Sequence, residues 1–163
     1  MQEIPFNKLF NIHACKGLIE SKRSMKQDTA KVAIIGSRSY EHKEKIREMI
    51  WMLKNKLGKV EIVSGGATHG ADKYAKKYAI ELGVGYVEFN PAHTVKNLYS
   101  AMPEDYYSKE YHVSQLFHRN ELIAAYCDRM IAFRSTGKSS GTDHAIKMAE
   151  KYNKPYIIIG DKV

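Results

Sequence analysis

The strongest constraint on this fold is an alternation that begins at Lys31. Short β-branched apolar runs closed by small residues take turns with longer stretches of helical periodicity. KVAIIG, from Lys31, reads as a buried strand ending in glycine. From about Glu41 to Leu57 the apolar residues Ile46, Met49, Ile50 and Leu53 recur at three- and four-residue spacing, and Gly58 closes the helix. KVEIVSGG is a second strand. A helix over Asp72–Leu82 follows, with Ala71, Ala75, Tyr78, Ala79 and Leu82 on one side and Gly83 as its stop. VGYVEF is a third strand. After a long connection from Asn90, a helix over Val113–Tyr126 carries Leu116, Ile123 and Tyr126. DRMIAF, a helix over Gly141–Tyr152 with Ala145, Ile146 and Ala149 inward, and PYIII complete the series. Strands separated by helices of ten or more residues must be joined by crossovers. The expectation is a Rossmann-like, three-layer α/β fold, with a parallel sheet of about five strands and helices on both faces.

The first thirty residues read differently. Phe6, Leu9, Phe10, Ile12, Cys15 and Ile19 fit one helix face, and SKRSMKQD is a polar linker. The expected division is an N-terminal helical extension and linker over 1–30 and a ligand-binding domain over 31–163. Five cations and three carboxylates give residues 1–30 a net +2, so +6 of the chain's +8 belongs to the folded body rather than to a basic tail. That excess excludes an acidic, anion-repelling surface and allows an anionic partner. Cys15 and Cys127 are too few for a disulfide framework and form no CxxC pair. No apolar run approaches the ~20 residues of a membrane span, and the N-terminus lacks a signal-peptide core. The chain is therefore expected in the cytoplasm, away from membranes.

In parallel sheets ligands bind beyond the carboxyl ends of the strands, where loops enter helix N-termini. Three such loops combine glycine, hydroxyls and small residues: Gly36-Ser37-Arg38; Ser64-Gly65-Gly66 running on to Asp72; and Gly137-Lys138-Ser139-Ser140-Gly141-Thr142. Small residues let backbone approach a ligand. Free N–H groups and the helix dipole favour an anion there. Arg38 and Lys138 add positive charge. Any one of these loops is equally well an ordinary turn, but their convergence on one edge points to a phosphate-bearing ligand, most economically a nucleotide. Thr136-Gly137-Lys138-Ser139 resembles the end of a P-loop, yet the motif's leading glycine falls at Ala132, inside a strand. Gly65 to Gly70 nearly spells GxGxxG, with Ala67 in the middle glycine's place and Glu88 where a ribose-binding acid would stand. His69, His112, His118 and His144 have no metal-ligand spacing, so no metal is expected. Tyr99, Tyr106, Tyr107 and Tyr111, with Lys96 and Lys109, are either a base-stacking lid or a loop packing its own rings.

GSRS after the first strand, SGGATHGADKYA after the second, HRNELI on the fourth helix, then CDRMIAF and GKSSGTDHAIKMA together resemble the SLOG superfamily. That superfamily includes DprA-type DNA-processing proteins and LOG-type phosphoribohydrolases. The likeness is closest to its small, single-domain YspA-like, YpsA-related branch and covers residues 31–160. It implies a Rossmann-like sheet, nucleotide or nucleotide-derived ligands, no further cofactor, and homodimers. It places Gly36, Ser37 and Arg38 on the ligand from the first loop, and Ser64, Gly65, Gly66 and Asp72 on a second wall. Arg119, with Asn120 beside it, matches the arginine before a ligand-facing helix turn. Ser139, Gly141 and Thr142, with Lys138, match the phosphate-binding GT turn.

The chain departs from the LOG-type pattern PGGxGTxxE: KSSGTDHA leaves Ala145 where the catalytic glutamate stands. Breaking an N-glycosidic bond needs a carboxylate to stabilise oxocarbenium charge or orient water. Asp143 falls two positions early, and Asp72 or Glu121 would have to substitute. Three functions remain open: a nucleotide-ligand sensor or sequestering module; an N-glycosidase with Arg119 and Asp72 catalytic; and a DprA-like binder of single-stranded DNA. The last ranks lowest because the basic residues are dispersed.

Overall fold

The computed structural model describes residues 28–90, 101–103 and 113–161. The expected extension over 1–30 therefore falls, but for its last three residues, outside the described residues. So do Tyr99, Tyr106, Tyr107 and Tyr111 and the histidine His112.

Five strands and four helices follow in chain order: β1 Ala30–Gly36, α1 Lys43–Leu57, β2 Val60–Ser64, α2 Ala71–Glu81, β3 Gly85–Glu88, α3 Val113–Tyr126, β4 Arg129–Arg134, α4 Ser140–Lys151 and β5 Tyr156–Gly160. The strands form one sheet in the order β3-β2-β1-β4-β5. Every pairing is parallel, with Val32 opposite both Ile62 and Arg129, and Gly36 opposite Phe133. The expected α/β class, the parallel sheet and its strand number are borne out.

Side chains alternate across a strand, and the buried residues of β1 divide accordingly. Val32 and Ile34 join Ile62, Ile131, Phe133 and Ile157 on one face, under Ile46, Ile50 and Leu53 of α1 and Ala75, Tyr78 and Ala79 of α2. Ala33 and Ile35 join Val63, Met130, Ala132 and Tyr156 on the other, under Ile123 and Ala124 of α3 and Ala145, Ile146 and Ala149 of α4. The central strands β1 and β4, continuous apolar runs, are buried on both faces, whereas the edge strand β5 leaves Ile158 exposed. Gly58 ends α1 at φ 71°, where its N–H returns to the Lys54 carbonyl at 3.1 Å.

The chain builds outward from β1 to β2 and β3, then crosses back to place β4 on β1's other side. Between β1 and β4 the loops therefore lead to opposite faces of the sheet and part, opening a crevice.

Candidate functional site

That crevice holds a cleft of about 560 Å³. Its walls are Ile35 to Ser39 at the end of β1, Lys138 to Thr142 entering α4, Leu116, Phe117, Arg119 and Asn120 on α3, and Ala67, Asp72 and Ala145. Ten of the thirteen residues expected at the site border it: Gly36, Ser37, Arg38, Asp72, Arg119, Asn120, Lys138, Ser139, Gly141 and Thr142. Ser64, Gly65 and Gly66 do not.

The α4 end is built from hydroxyls. The Ser135 N–H donates to Ser37 Oγ at 3.1 Å, Ser37 Oγ donates to Ser139 Oγ at 3.1 Å, and Ser139 Oγ donates to Thr142 Oγ1 at 2.7 Å. Ser139 holds the N-cap position of α4, yet its side chain makes no capping bond to the helix backbone. A helix leaves its first amides without internal acceptors, and the N-cap oxygen ordinarily takes one of them. Here that oxygen is turned to Thr142. The first-turn amides at Gly141 and Thr142 are left beside the cleft with the positive end of the dipole. Asn120 Nδ2 fixes this turn against α3 through the Gly141 carbonyl at 3.1 Å, and also lies 3.2 Å from His144 Nδ1. Arg38 and Lys138 stand exposed at the mouth.

In the second loop, Ala67 and Asp72 reach the cleft, whereas the space at Gly65 and Gly66 is filled by the protein's own side chains. Arg119 Nη1 donates to the Gly65 carbonyl at 2.9 Å and Nε to Asn120 Oδ1 at 3.2 Å. A Cβ on Gly65 would lie 2.3 Å from that Nη1. Gly66, at φ 74°, lies against Glu88, whose Cδ would be 2.4 Å from a Cβ there. Glu88 is 1% exposed; Tyr86 Oη donates to it at 2.9 Å and Lys76 Nζ stands 3.5 Å away. It is a buried acid behind the loop, not a ribose ligand in the cleft. Gly36 is equally enclosed, since a Cβ would lie 2.1 Å from the Phe133 carbonyl oxygen. At Gly141, by contrast, nothing lies within 4 Å of that position.

Asp72 is 5% exposed and borders the cleft. Its Oδ2 accepts the Ala67 N–H at 3.2 Å. Burial raises its pKa above the usual carboxylate value. Arg119, the Ala67 N–H and the neighbouring Ser64 pull it back, and Glu88 pushes it further up. Among the described residues that line the cleft, Asp72 is the only carboxylate. Asp143 instead faces Arg134, with contacts of 3.1 and 3.4 Å. Glu121 accepts from Lys151 at 2.9 Å and from Tyr152 at 2.8 Å, and these donors hold its carboxyl below the usual range. The methyl of Ala145 borders the cleft where an acid at that position would face a ligand. No group of three His, Cys, Asp or Glu side chains among the described residues is arranged to hold a metal ion.

Sequence reasoning missed Phe117, which is 38% exposed on the cleft wall with its ring centroid 4.3 Å from that of His144. The available signal was its place three residues before Asn120, on the same helix face. Leu116, read as core, lines the cleft as well.

Residues 30–94 match the model of the YspA, cpYpsA-related SLOG family, YAcAr. The resemblance to the SLOG superfamily and its YspA-like branch is thus borne out. No curated protein matches the chain. Among solved structures, the molybdenum cofactor binding protein from the phototrophic bacterium Rippkaea orientalis is similar with a TM-score of 0.60 at 18% identity, covering 84% of this chain and 80% of that one. The molybdenum cofactor carrier protein MCP from Chlamydomonas reinhardtii is similar with a TM-score of 0.59 at 17% identity, over 80% of this chain and 76% of that one. A second structure of that alga's carrier protein gives 0.55 at 15% identity, over 81% and 76%. At these identities the likeness is one of fold. It nonetheless corrects the expectation of no cofactor, because the neighbours of this fold bind or carry one, and it supports the binding of a small ligand without singling out a nucleotide. The sequence signal had pointed only to phosphate, which nucleotides and phosphorylated cofactors share. No helix among the described residues is long and apolar enough to cross a membrane.

Proposed function

We propose that the cleft between β1 and β4 holds a phosphorylated heterocyclic cofactor of the molybdenum-cofactor type and that the chain binds or carries it without turning it over. The observation that carries this reading is the uncapped first turn of α4, opening into a cleft with the exposed cations Arg38 and Lys138 at its mouth. Amides and cations together favour a phosphate. Phe117 offers a ring face for a heterocycle. A cleft of about 560 Å³ suits one small molecule better than a strand of DNA. The molybdenum cofactor is a phosphorylated pterin whose dithiolene carries the metal. The residues present fit its phosphate and its ring. With no metal-holding cluster among the described residues, the molybdenum would remain on its dithiolene. Ala145 in place of an acid favours binding over glycosidic cleavage.

Native mass spectrometry of the full chain, mixed anaerobically with molybdenum cofactor released from a molybdoenzyme, tests the reading. The expected result is a complex of one ligand per chain with the ligand mass unchanged, weakened at least tenfold by Lys138→Ala. Absence of a complex with the cofactor and with its metal-free pterin would overturn it. Recovery of a free base and a sugar phosphate from a nucleotide panel would favour an N-glycosidase instead.

A further inference from the structure

We propose that Asp72 selects the ligand's ring by accepting the adjacent N–H donors of a 2-amino-4-oxopyrimidine edge, the edge shared by pterin and guanine. The assignment rests on the reading that the cleft takes a phosphorylated heterocycle, and it names the class of heterocycle.

The cations and amides of the cleft recognise charge and are indifferent to the ring. Ring selection needs a group that distinguishes donors from acceptors, and Asp72 is the one carboxylate on the described wall. The protein donors beside it are few: Oδ2 accepts the Ala67 N–H, and the Ser64 hydroxyl lies close by. Two of Arg119's nitrogens are directed to the Gly65 carbonyl and to Asn120 rather than into a forked pair with the acid. A carboxylate has about four lone-pair sites, and one that is 95% buried is costly unless donors reach it. A pterin or guanine edge supplies two, an exocyclic amine and a ring N–H side by side, in the geometry that a carboxylate accepts. Adenine presents a ring nitrogen lone pair beside its amine, which would face the carboxylate oxygen. Hypoxanthine keeps the ring N–H but lacks the amine.

Calorimetric titration of the full chain with two matched pairs tests this: a phosphorylated pterin against the corresponding lumazine, which lacks the 2-amino group, and guanosine monophosphate against inosine monophosphate, with adenosine monophosphate as a fifth probe. The 2-amino member of each binding pair is expected to bind about tenfold tighter. Adenosine monophosphate is expected to bind about ten- to a hundredfold more weakly than guanosine monophosphate. Whichever pair binds identifies the source of the edge. In Asp72→Asn, shown by its melting curve to fold, the amide offers one donor and one acceptor, so the guanosine-over-adenosine order should reverse. Equal affinities within each pair overturn the assignment while leaving the cleft a heterocycle site, as does an asparagine variant that keeps the original order. If that variant does not fold, the paired ligands on the unmodified chain decide. Failure of all five probes to bind overturns both this assignment and the proposed function.

Discussion

Gly141→Ala separates a glycine kept for a ligand from glycines kept for packing. Gly36, Gly65 and Gly66 are enclosed by the protein's own atoms, whereas a Cβ at Gly141 meets nothing within 4 Å. Gly141 is the second residue of α4, where alanine is the better helix former. Replacing it should stabilise the fold by about 0.4–1 kcal/mol. For a chain of this size that raises Tm by about 1–4 °C. The new methyl would stand beside the first-turn amides. Displacing a phosphate from one charge-assisted hydrogen bond costs about 1.5–3 kcal/mol, or roughly ten- to 150-fold in affinity. The control is Gly36→Ala. Its Cβ would lie 2.1 Å from the Phe133 oxygen and 2.7 Å from Ala71 Cβ, where Ser37 N–H bonds that same oxygen at 2.9 Å. Two paired strands would have to part by about 1 Å. Overpacking and the strained hydrogen bond together cost about 2–4 kcal/mol, lowering Tm by about 4–16 °C. Calorimetric melting and titration with a phosphorylated pterin read both effects. A Gly141→Ala protein that melts higher and binds within twofold of the original would refute the placement of the phosphate at α4.

Arg119→Ala removes the bond to Gly65 and the charge that offsets the burial of Asp72. An acid whose folded pKa exceeds its unfolded value of ~3.9 loses stability as pH rises through that interval. Burial already raises Asp72, and loss of Arg119 raises it further. The variant should therefore be about 2 kcal/mol less stable at pH 7, with the deficit shrinking toward pH 4; urea melts showing a deficit that grows on acidification would contradict this. Cys127 is fully buried, and burial pushes its thiol up to about 12. In a Cys15→Ser background it should resist a disulfide reagent at pH 8 until the protein is unfolded, and reaction within seconds would refute its placement.

The elements were legible because each rests on a local pattern. Ile46, Met49, Ile50 and Leu53 were read as one helix face and are all buried. The convergence of the first and third loops was legible too, since parallel strands bring all carboxyl ends to one edge. What could not be read was the strand order. β4 beside β1 is a long-range pairing, and it puts the β1 and β4 loops at the crevice and Ser64 to Gly66 one strand away, with Ala67 and Asp72 reaching back to the cleft. A glycine in sequence announces room for something close to the backbone without saying what fills it. At Gly65 the occupant is Arg119 and at Gly66 it is Glu88, both distant in sequence. Phe117 was illegible for a related reason: an aromatic residue on an amphipathic helix looks the same whether it faces the core or a cleft.

Neighbouring residues on α3 divide the site between them. Successive side chains on a helix diverge by about 100°, so Arg119 and Asn120 reach different loops from adjacent positions. Arg119 holds the Gly65 carbonyl and biases the charge of Asp72, at the end assigned to the ring. Asn120 holds the Gly141 carbonyl, at the end assigned to the phosphate. Both residues also bond to each other through Arg119 Nε and Asn120 Oδ1. One helix thus touches both ends of the cleft. A ligand gripped at its phosphate and read at its ring needs both ends tied to a common element, and α3 is the element that bonds to both loops.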